Sequence, residues 1–267
     1  MSAWTTLYSP GLPGDPGASV NVDRDGVRHI RAARLRPGAE LRLTDGEGAL
    51  WAARLDSLTG NRARCVLLET LPSPPDLRVE LAFGVASKPR TLWLVEKAVE
   101  LGVPVLQPIE FRRSSSVSDA ARAPAFWGKA RRKAAAALTQ CGGSRLPSLR
   151  APCSLEEYLT APASRRDRLR VALDRSGEDS LSELLSSSRP GANGWILLLV
   201  GPEGGMAPAE RTACRAAGFR FATLGQRVLR FETAAVAGVT AVSLMARPRA
   251  PATRSERSEV GDAEVPS

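Results

Sequence analysis

Two segments bring together residue types that do chemistry. The first is Gly201-Pro202-Glu203-Gly204-Gly205, directly after the apolar run Trp195–Val200. Three glycines open backbone conformations closed to other residues and let a ligand approach the main chain closely. The helix expected to follow offers unpaired N–H groups at its start. The second segment is Leu224–Ala234, LGQRVLRFETA, which gathers Arg227, Arg230, Glu232 and Thr233. Arginine stays charged and can fork two acceptors. A carboxylate beside it can take a proton or orient the cation.

Plainer readings stand beside these. A glycine-rich strand-to-helix turn can be only a turn. Glu232 and Thr233 can be helix-start residues favoured by the dipole, and Arg227 and Arg230 can be paired with carboxylates. The first loop is neither a Walker A loop, since no Gly-Lys-Ser/Thr follows, nor G-x-G-x-x-G. The single histidine, His29, would have to supply the base of any Ser-His-Asp or Cys-His arrangement. Cys65, Cys141, Cys153 and Cys214 are widely spaced and form no C-x-x-C pair. Reduced thiols and no metal site are therefore expected.

Charge locates a second function. The net charge is +9, and residues 112–150 hold nine basic residues against Asp119 alone. A solvated helix face mixes signs, whereas a one-sign cluster is the footprint of a phosphate backbone. A merely solubilising arginine-rich surface is the alternative. The N-terminus has no basic start and apolar core of a signal peptide, and no apolar stretch approaches the ~20 residues that span a bilayer. A cytoplasmic, membrane-free protein is expected.

The elements that would position these residues follow from periodicity. Residues 17–71 read as a β-rich module, with strands at Leu41–Leu43, Leu50–Leu55 and Arg64–Leu71 and a hairpin turn at Asp45-Gly46. Pro72-Ser73-Pro74-Pro75 is a stiff boundary. Beyond it, strands at Val79–Ala86, Val103–Ile109, Leu169–Leu173, Trp195–Val200 and Phe221–Leu224 alternate with helices. The helices are expected at Thr91–Leu101, Ala120–Gln140, Ser180–Ser187, Pro208–Ala217 and Glu232–Ala246. Alternating βα units imply a parallel sheet covered on both faces. The Pro-, Arg-, Ser- and Glu-rich residues 247–267 cannot pack and are expected to be disordered. The division is 1–71, a hinge at 72–78, 79–246, and the tail.

Taken together, GPEGGMAPAE and LGQRVLRFETAAVAGV resemble the two C-terminal signatures of the ribosomal RNA small subunit methyltransferase E family. Lys88, Arg90 and Glu96–Val103 are similar to its K…K-A-x-E-L-G-V block, and Arg113-Ser114 to its Arg-Ser pair. Gln140-Cys141-Gly142 with Arg145-Leu146-Pro147 resembles its Q-(S/C)-G-R-x-x-x-P stretch, although Gly143 stands where arginine is usual. His29-Ile30, Gly38 and Asp45–Gly48 are similar to its N-terminal module. The basic-aromatic opening common in the family is missing, and its V-L-R is Ala33-Arg34-Leu35 here.

The resemblance implies an α/β fold: a SPOUT-type parallel sheet with a C-terminal trefoil knot, preceded by a small PUA-like β-barrel that binds RNA. It implies S-adenosyl-L-methionine as methyl donor and N3 of a uridine in 16S rRNA, uridine 1498 in the family, as acceptor. Val200, Gly201, Pro202, Glu203, Gly204, Gly205, Leu224, Gly225, Arg227, Val228, Leu229 and Thr233 would hold the cofactor. Arg230 would stabilise charge on the uracil oxygens, and Glu232 would be the base or would orient Arg230. Arg34, Arg36, Lys88, Arg113, Arg131, Arg132, Lys133 and Arg145 would hold RNA. A homodimer acting on the small ribosomal subunit is implied. A non-catalytic RNA-binding or assembly protein on the same fold, or a related methyltransferase with another RNA target, is the alternative.

Overall fold

The computed structural model describes residues 4–114, 123–161, 168–188 and 194–245. The N-terminal module is a five-stranded mixed sheet in the order β1-β3-β4-β5-β2. Its strands are β1 (Thr6–Tyr8), β2 (Ser19–Val22), β3 (Glu40–Thr44), β4 (Leu50–Thr59) and β5 (Arg62–Thr70). The turn at Asp45-Gly46 joins β3 to β4 as expected, with Gly46 at φ +76°. A helix, α1 (Arg24–Ala32), was not expected within this module. The Asp23 carboxylate caps it by accepting from the Gly26 N–H at 2.8 Å, and only Gly26, Val27 and Ile30 face inward. Gly26 is required there, because a Cβ would lie 2.2 Å from Val22 Cγ1. The helix touches both β1 and β5, and Ile30 is fully buried among Leu41, Leu43, Leu55 and Leu67.

The second domain is an eight-stranded parallel sheet in the order β11-β13-β10-β12-β6-β7-β8, with β9 also on β7. The central strands are β6 (Val79–Gly84), β7 (Val105–Glu110), β10 (Arg168–Leu173), β12 (Trp195–Val200) and β13 (Arg220–Thr223). Short additions β8 (Ser148–Leu149), β9 (Cys153–Ser154) and β11 (Asp179–Ser180) extend the edges. Alternation sorts the side chains into two layers. Leu81, Phe83, Leu198 and Val200 face α2 (Lys88–Glu100), α3 (Pro124–Cys141), α5 (Leu181–Ser187) and α7 (Phe231–Met245). Ala82, Leu197 and Leu199 face α4 (Leu155–Thr160) and α6 (Pro208–Ala216). Burial on both faces explains why Trp195–Val200 is continuously apolar.

Local chemistry sets the helix ends. Pro89 lies in the first turn of α2, so the helix starts at Lys88, three residues before the expected Thr91. Gly102, at φ +71°, ends it. Ser180 and Glu183 form the expected capping box of α5. Gly238 lets α7 approach the sheet, since a Cβ would lie 2.7 Å from Leu173 Cδ1 and 2.9 Å from Leu198 Cδ2. Residues 247–267, expected to be disordered, lie outside the described residues.

The domains are clamped through residues 142–147. The Leu146 N–H donates to the Gly46 carbonyl at 2.7 Å, the Gly48 N–H to Ser144 O at 3.0 Å, and the Thr44 hydroxyl to the same oxygen at 3.0 Å. Arg145 pairs with Asp76 at 2.7 Å. Gly143 fits this loop because a Cβ would lie 2.9 Å from Leu138 Cδ1. A larger residue there needs Leu138 to move.

All four cysteines are free thiols. Burial, with Asp56 adding to it, pushes the Cys65 thiol up to about 11; burial and Glu210 push Cys214 up to about 12. Cys141 is exposed. Only the thiolate is nucleophilic. An alkylating reagent at pH 8 should therefore label Cys141 in the native protein and leave Cys65 and Cys214 untouched until denaturant is added. Mass mapping of the labelled peptides checks this.

Candidate functional site

In open α/β sheets the ligand crevice lies beyond the carboxyl ends of the strands. Four such ends converge here: 84–90 after β6, 111–114 after β7, 201–205 after β12 and 224–230 after β13. Those after the neighbouring strands β6 and β12 run in contact. A Cβ on Gly84 would lie 2.6 Å from the Pro202 nitrogen and 3.0 Å from the Gly201 carbonyl carbon.

Arg90, in the first turn of α2, ties two of these loops together. It pairs with Glu203 of the glycine-rich loop, and its Nε lies 3.7 Å from Oε1 of Glu232 at the start of α7. The Glu232 side chain is only 13% exposed, and its Oε2 is buried with no hydrogen-bond partner. One expectation from the sequence is that Glu232 orients Arg230. The carboxylate's ion-pair partner among the described residues is instead Arg90. Arg90 was legible as part of a sequence block, but its partners lie far along the chain, so its bridging role was not.

The glycine-rich loop is braced from its other side. Arg113 donates to the Gly204 carbonyl at 3.2 Å, and a Cβ on Gly204 would lie 3.0 Å from Arg113 Cβ. Arg113 itself is positioned by Glu210 of α6. The buried Glu210 carboxylate accepts from the Arg112 N–H and the Ala207 N–H, both at 2.7 Å. The expectation of unpaired N–H groups at the start of this helix is corrected to that extent, because the Ala207 amide is already satisfied by Glu210.

The second loop remains open. Gly225 has φ +113° and Gly205 has φ +67°, and a Cβ at either would meet nothing within 4 Å. Val228 is 66% exposed. Arg227 and Arg230 are exposed, and neither has an ion-pair partner among the described residues. The arrangement can hold a ligand against bare backbone and bring two unneutralised guanidinium groups and one buried, unpaired carboxylate oxygen beside it.

A family model described as an RNA methyltransferase domain matches residues 73–243, and one described as an RNA methyltransferase PUA domain matches 22–68. A ribosomal RNA small subunit methyltransferase E from Mycobacterium bovis is 30% identical over 248 residues, 90% of this chain and 91% of the relative. The chain belongs to the ribosomal RNA small subunit methyltransferase E family. The Bacillus subtilis member is 25% identical over 231 residues, 84% of this chain and 90% of its own. In three dimensions the chain is similar to a member of this family from Neisseria gonorrhoeae, solved bound to S-adenosyl methionine. The TM-score is 0.80 at 28% identity, covering 91% of this chain and 98% of that one.

The residues that the resemblance assigned to RNA are spread over four places in this methyltransferase. Lys88 and Arg113 stand exposed at the crevice rim. Arg34 and Arg36 are exposed just after α1, with Arg34 in the left-handed region at φ +57°. Arg131 and Arg132 are exposed along α3 without ion-pair partners among the described residues. Lys133, however, pairs with Glu96 of α2, and Arg145 with Asp76 in the clamp. Glu96 is held below the usual carboxylate range by hydrogen bonds from Lys133 and Lys97. Among the described residues no group of three or more His, Cys, Asp or Glu is placed to hold a metal, and no helix is long and apolar enough to cross a membrane.

Replacing Arg90 by methionine keeps the stem and strands the Glu232 carboxylate. A mostly buried charge without its partner costs about 1–3 kcal/mol. Urea unfolding should show that loss in Arg90→Met. Adding Glu232→Gln in the same background should recover much of it, because the stranded charge is gone.

Proposed function

We propose that the chain transfers a methyl group from S-adenosylmethionine to N3 of a uridine in small-subunit ribosomal RNA, the equivalent of uridine 1498 of 16S rRNA. Family membership carries the reaction class. The observation that carries the chemistry is the contrast between Arg230, exposed and unpaired among the described residues, and Glu232, buried with one oxygen unsatisfied.

The crevice fits the cofactor. Open space at Gly205 and Gly225 leaves backbone accessible, and the exposed Val228 offers an apolar contact. Val200–Gly205, Leu224, Gly225, Arg227–Leu229 and Thr233 would form the cradle, with Arg90 holding Glu203 in place. When bound, S-adenosylmethionine supplies an electrophilic methyl group.

The chain's own residues then act on the uracil. N3 carries a proton and is a poor nucleophile until that proton leaves. As it leaves, negative charge spreads to O2 and O4. Arg230 would donate to one of these oxygens and leave the N3 edge open, and a cation positioned there is worth ~10²–10³ in rate. The Glu232 Oε2, lacking any donor, accepts the N3–H and takes up its proton; N3 would then bond the methyl carbon as the carbon–sulfur bond breaks, leaving S-adenosylhomocysteine. The base must leave its stack to arrive, and Lys88 and Arg113 at the rim hold the adjoining phosphates.

The reading extends to organisation. Two separate apolar cores on either side of residues 72–78 support the division into modules at 1–71 and 79–246. Family membership is what supports the knotted threading of the loops around the cofactor. A homodimer is supported by α7, which leaves Leu244 79% and Met245 49% exposed. The cytoplasm is the compartment where the substrate is made.

Incubation of unmodified small ribosomal subunits, and of free 16S rRNA, with the protein and S-adenosylmethionine, followed by nucleoside mass spectrometry, should yield 3-methyluridine in at least one; a ribose-methylated nucleoside, or none in either, would refute the assignment. Arg230→Ala should keep RNA affinity and lower the rate at saturating RNA by ~10²–10³. Full turnover in that variant would make Arg230 structural.

Sedimentation at micromolar concentration should give twice the 28.4 kDa chain mass. A stable monomer would count against the dimer.

A further inference from the structure

A cavity of about 310 Å³ lies away from the crevice, between the N-terminal module and α3. Tyr8, the last residue of β1, forms one wall. Arg131, Arg132 and Ala135 of α3 form the opposite wall, and Leu146-Pro147 of the clamp loop contribute to the lining. Nothing in the reaction derived above uses it.

Its chemistry is specific. Tyr8 is half-buried, and its ring packs so closely on Gly46 that a Cβ there would lie 2.8 Å from Cε2. The Gly46 carbonyl also accepts the Leu146 N–H, so the ring and the clamp loop are fixed relative to one another. The apolar lining meets two cations at its edge. Lys133, the next residue on α3, is neutralised by Glu96, whereas Arg131 and Arg132 have no carboxylate partner among the described residues. Their charge remains available for an anion.

An aromatic ring, a proline face and two unpaired guanidinium groups around a small cavity match one unstacked nucleotide. The base lies on the ring and the proline, and its phosphate meets the arginines. The volume is at the small end of ligand clefts, about 300–1,000 Å³, which suits a single nucleotide and not a duplex. The occupant must also belong to a polyanion, because the two arginines line a basic helix. We propose that this cleft is a subsite for one splayed-out nucleotide of the ribosomal RNA, flanking the uridine that reacts. The proposal rests on the methyltransferase reading and adds to it. A second nucleotide held out of the stack fixes the strand on which the target base is presented, and both domains must be clamped together for the subsite to exist.

The probe is unmodified 16S rRNA, with affinity for the full chain measured over a range of salt concentrations. Tyr8→Ala should weaken binding about ten-fold, the loss of one base–aromatic stack, while Tyr8→Phe binds as wild type. Ala135→Phe fills the cavity while leaving Tyr8 and both arginines in place, and should weaken binding similarly. Both losses should leave the salt slope and cofactor affinity unchanged, since stacking releases no counterions. Arg131→Ala with Arg132→Ala should instead reduce the slope by ~0.7 for each phosphate no longer neutralised. Wild-type affinity in both Tyr8→Ala and Ala135→Phe overturns the subsite and leaves the methyltransferase reading intact. Failure of the wild-type chain to bind or methylate this RNA both free and in unmodified small subunits overturns the reading beneath it.

Discussion

The site depends on one cation, Arg90, held between two carboxylates from different loops. Glu203 lies after β12 and Glu232 lies after β13, and no regular hydrogen-bond ladder joins those loops. Glycines make the first loop permissive, so something outside it must select one conformation. Arg90 does this from the start of a helix whose own position is fixed by Leu94, Val95 and Ala98 in the core. Arg113 and Glu210 brace the same loop from the opposite side. A loop with few side chains thus gains a fixed shape from charged groups around its rim, while its backbone stays uncovered.

The distribution of charge has to be read in the same way. Counting along residues 112–150 gives a single basic block, but folding brings acidic partners from elsewhere. Arg150 meets the buried Glu80 of β6 at 3.1 Å, Arg145 meets Asp76, and Lys133 meets Glu96. These cations organise the protein. Arg150 satisfies, together with the Tyr158 hydroxyl, a carboxylate that would otherwise be a costly buried charge. The cations of this block left without carboxylate partners among the described residues are a smaller set that includes Arg131 and Arg132 of α3 and Arg113 at the crevice rim. A net charge therefore overstates a footprint wherever the chain supplies its own counter-charges.

Much of the second domain was legible because its signals are local. A continuous apolar run is a buried parallel strand, and Trp195–Val200 is one. A serine followed three residues later by glutamate caps a helix, and Ser180 with Glu183 does so. The two candidate cofactor loops were legible for the same reason, since each is contiguous. Helix α4 was missed despite a local signal, the capping box of Ser154 and Glu157; the other missed elements lack one. Helix α1 carries a glycine, two aspartates at or near its start and only two large apolar residues, so its stability comes from packing rather than propensity. Strands β8, β9 and β11 are two residues each and exist because a distant strand is there to pair with them. Within the site, Arg90 and Glu210 escaped as positioning groups because no spacing relates them to the loops they hold.

The pairing pattern also argues for how the two candidate catalytic groups divide their work. A guanidinium already satisfied by carboxylates has little left for charge that appears only during reaction. Arg90 is such a group, bound on both sides. Arg227 and Arg230 are not, and they lie within or beside the open loop. Glu232 is the converse case. One of its oxygens faces Arg90 in an ion pair at 3.7 Å, and the other is buried without a donor. A buried polar atom left unpaired is unfavourable in the free protein. An incoming N–H removes that penalty only when it arrives in the right place. In the proposed reaction, binding energy gained there would orient the ligand, while the interaction with Arg230 would grow as charge develops on the base. Only an interaction of that second kind, stronger in the transition state than in the bound substrate, accelerates the chemical step.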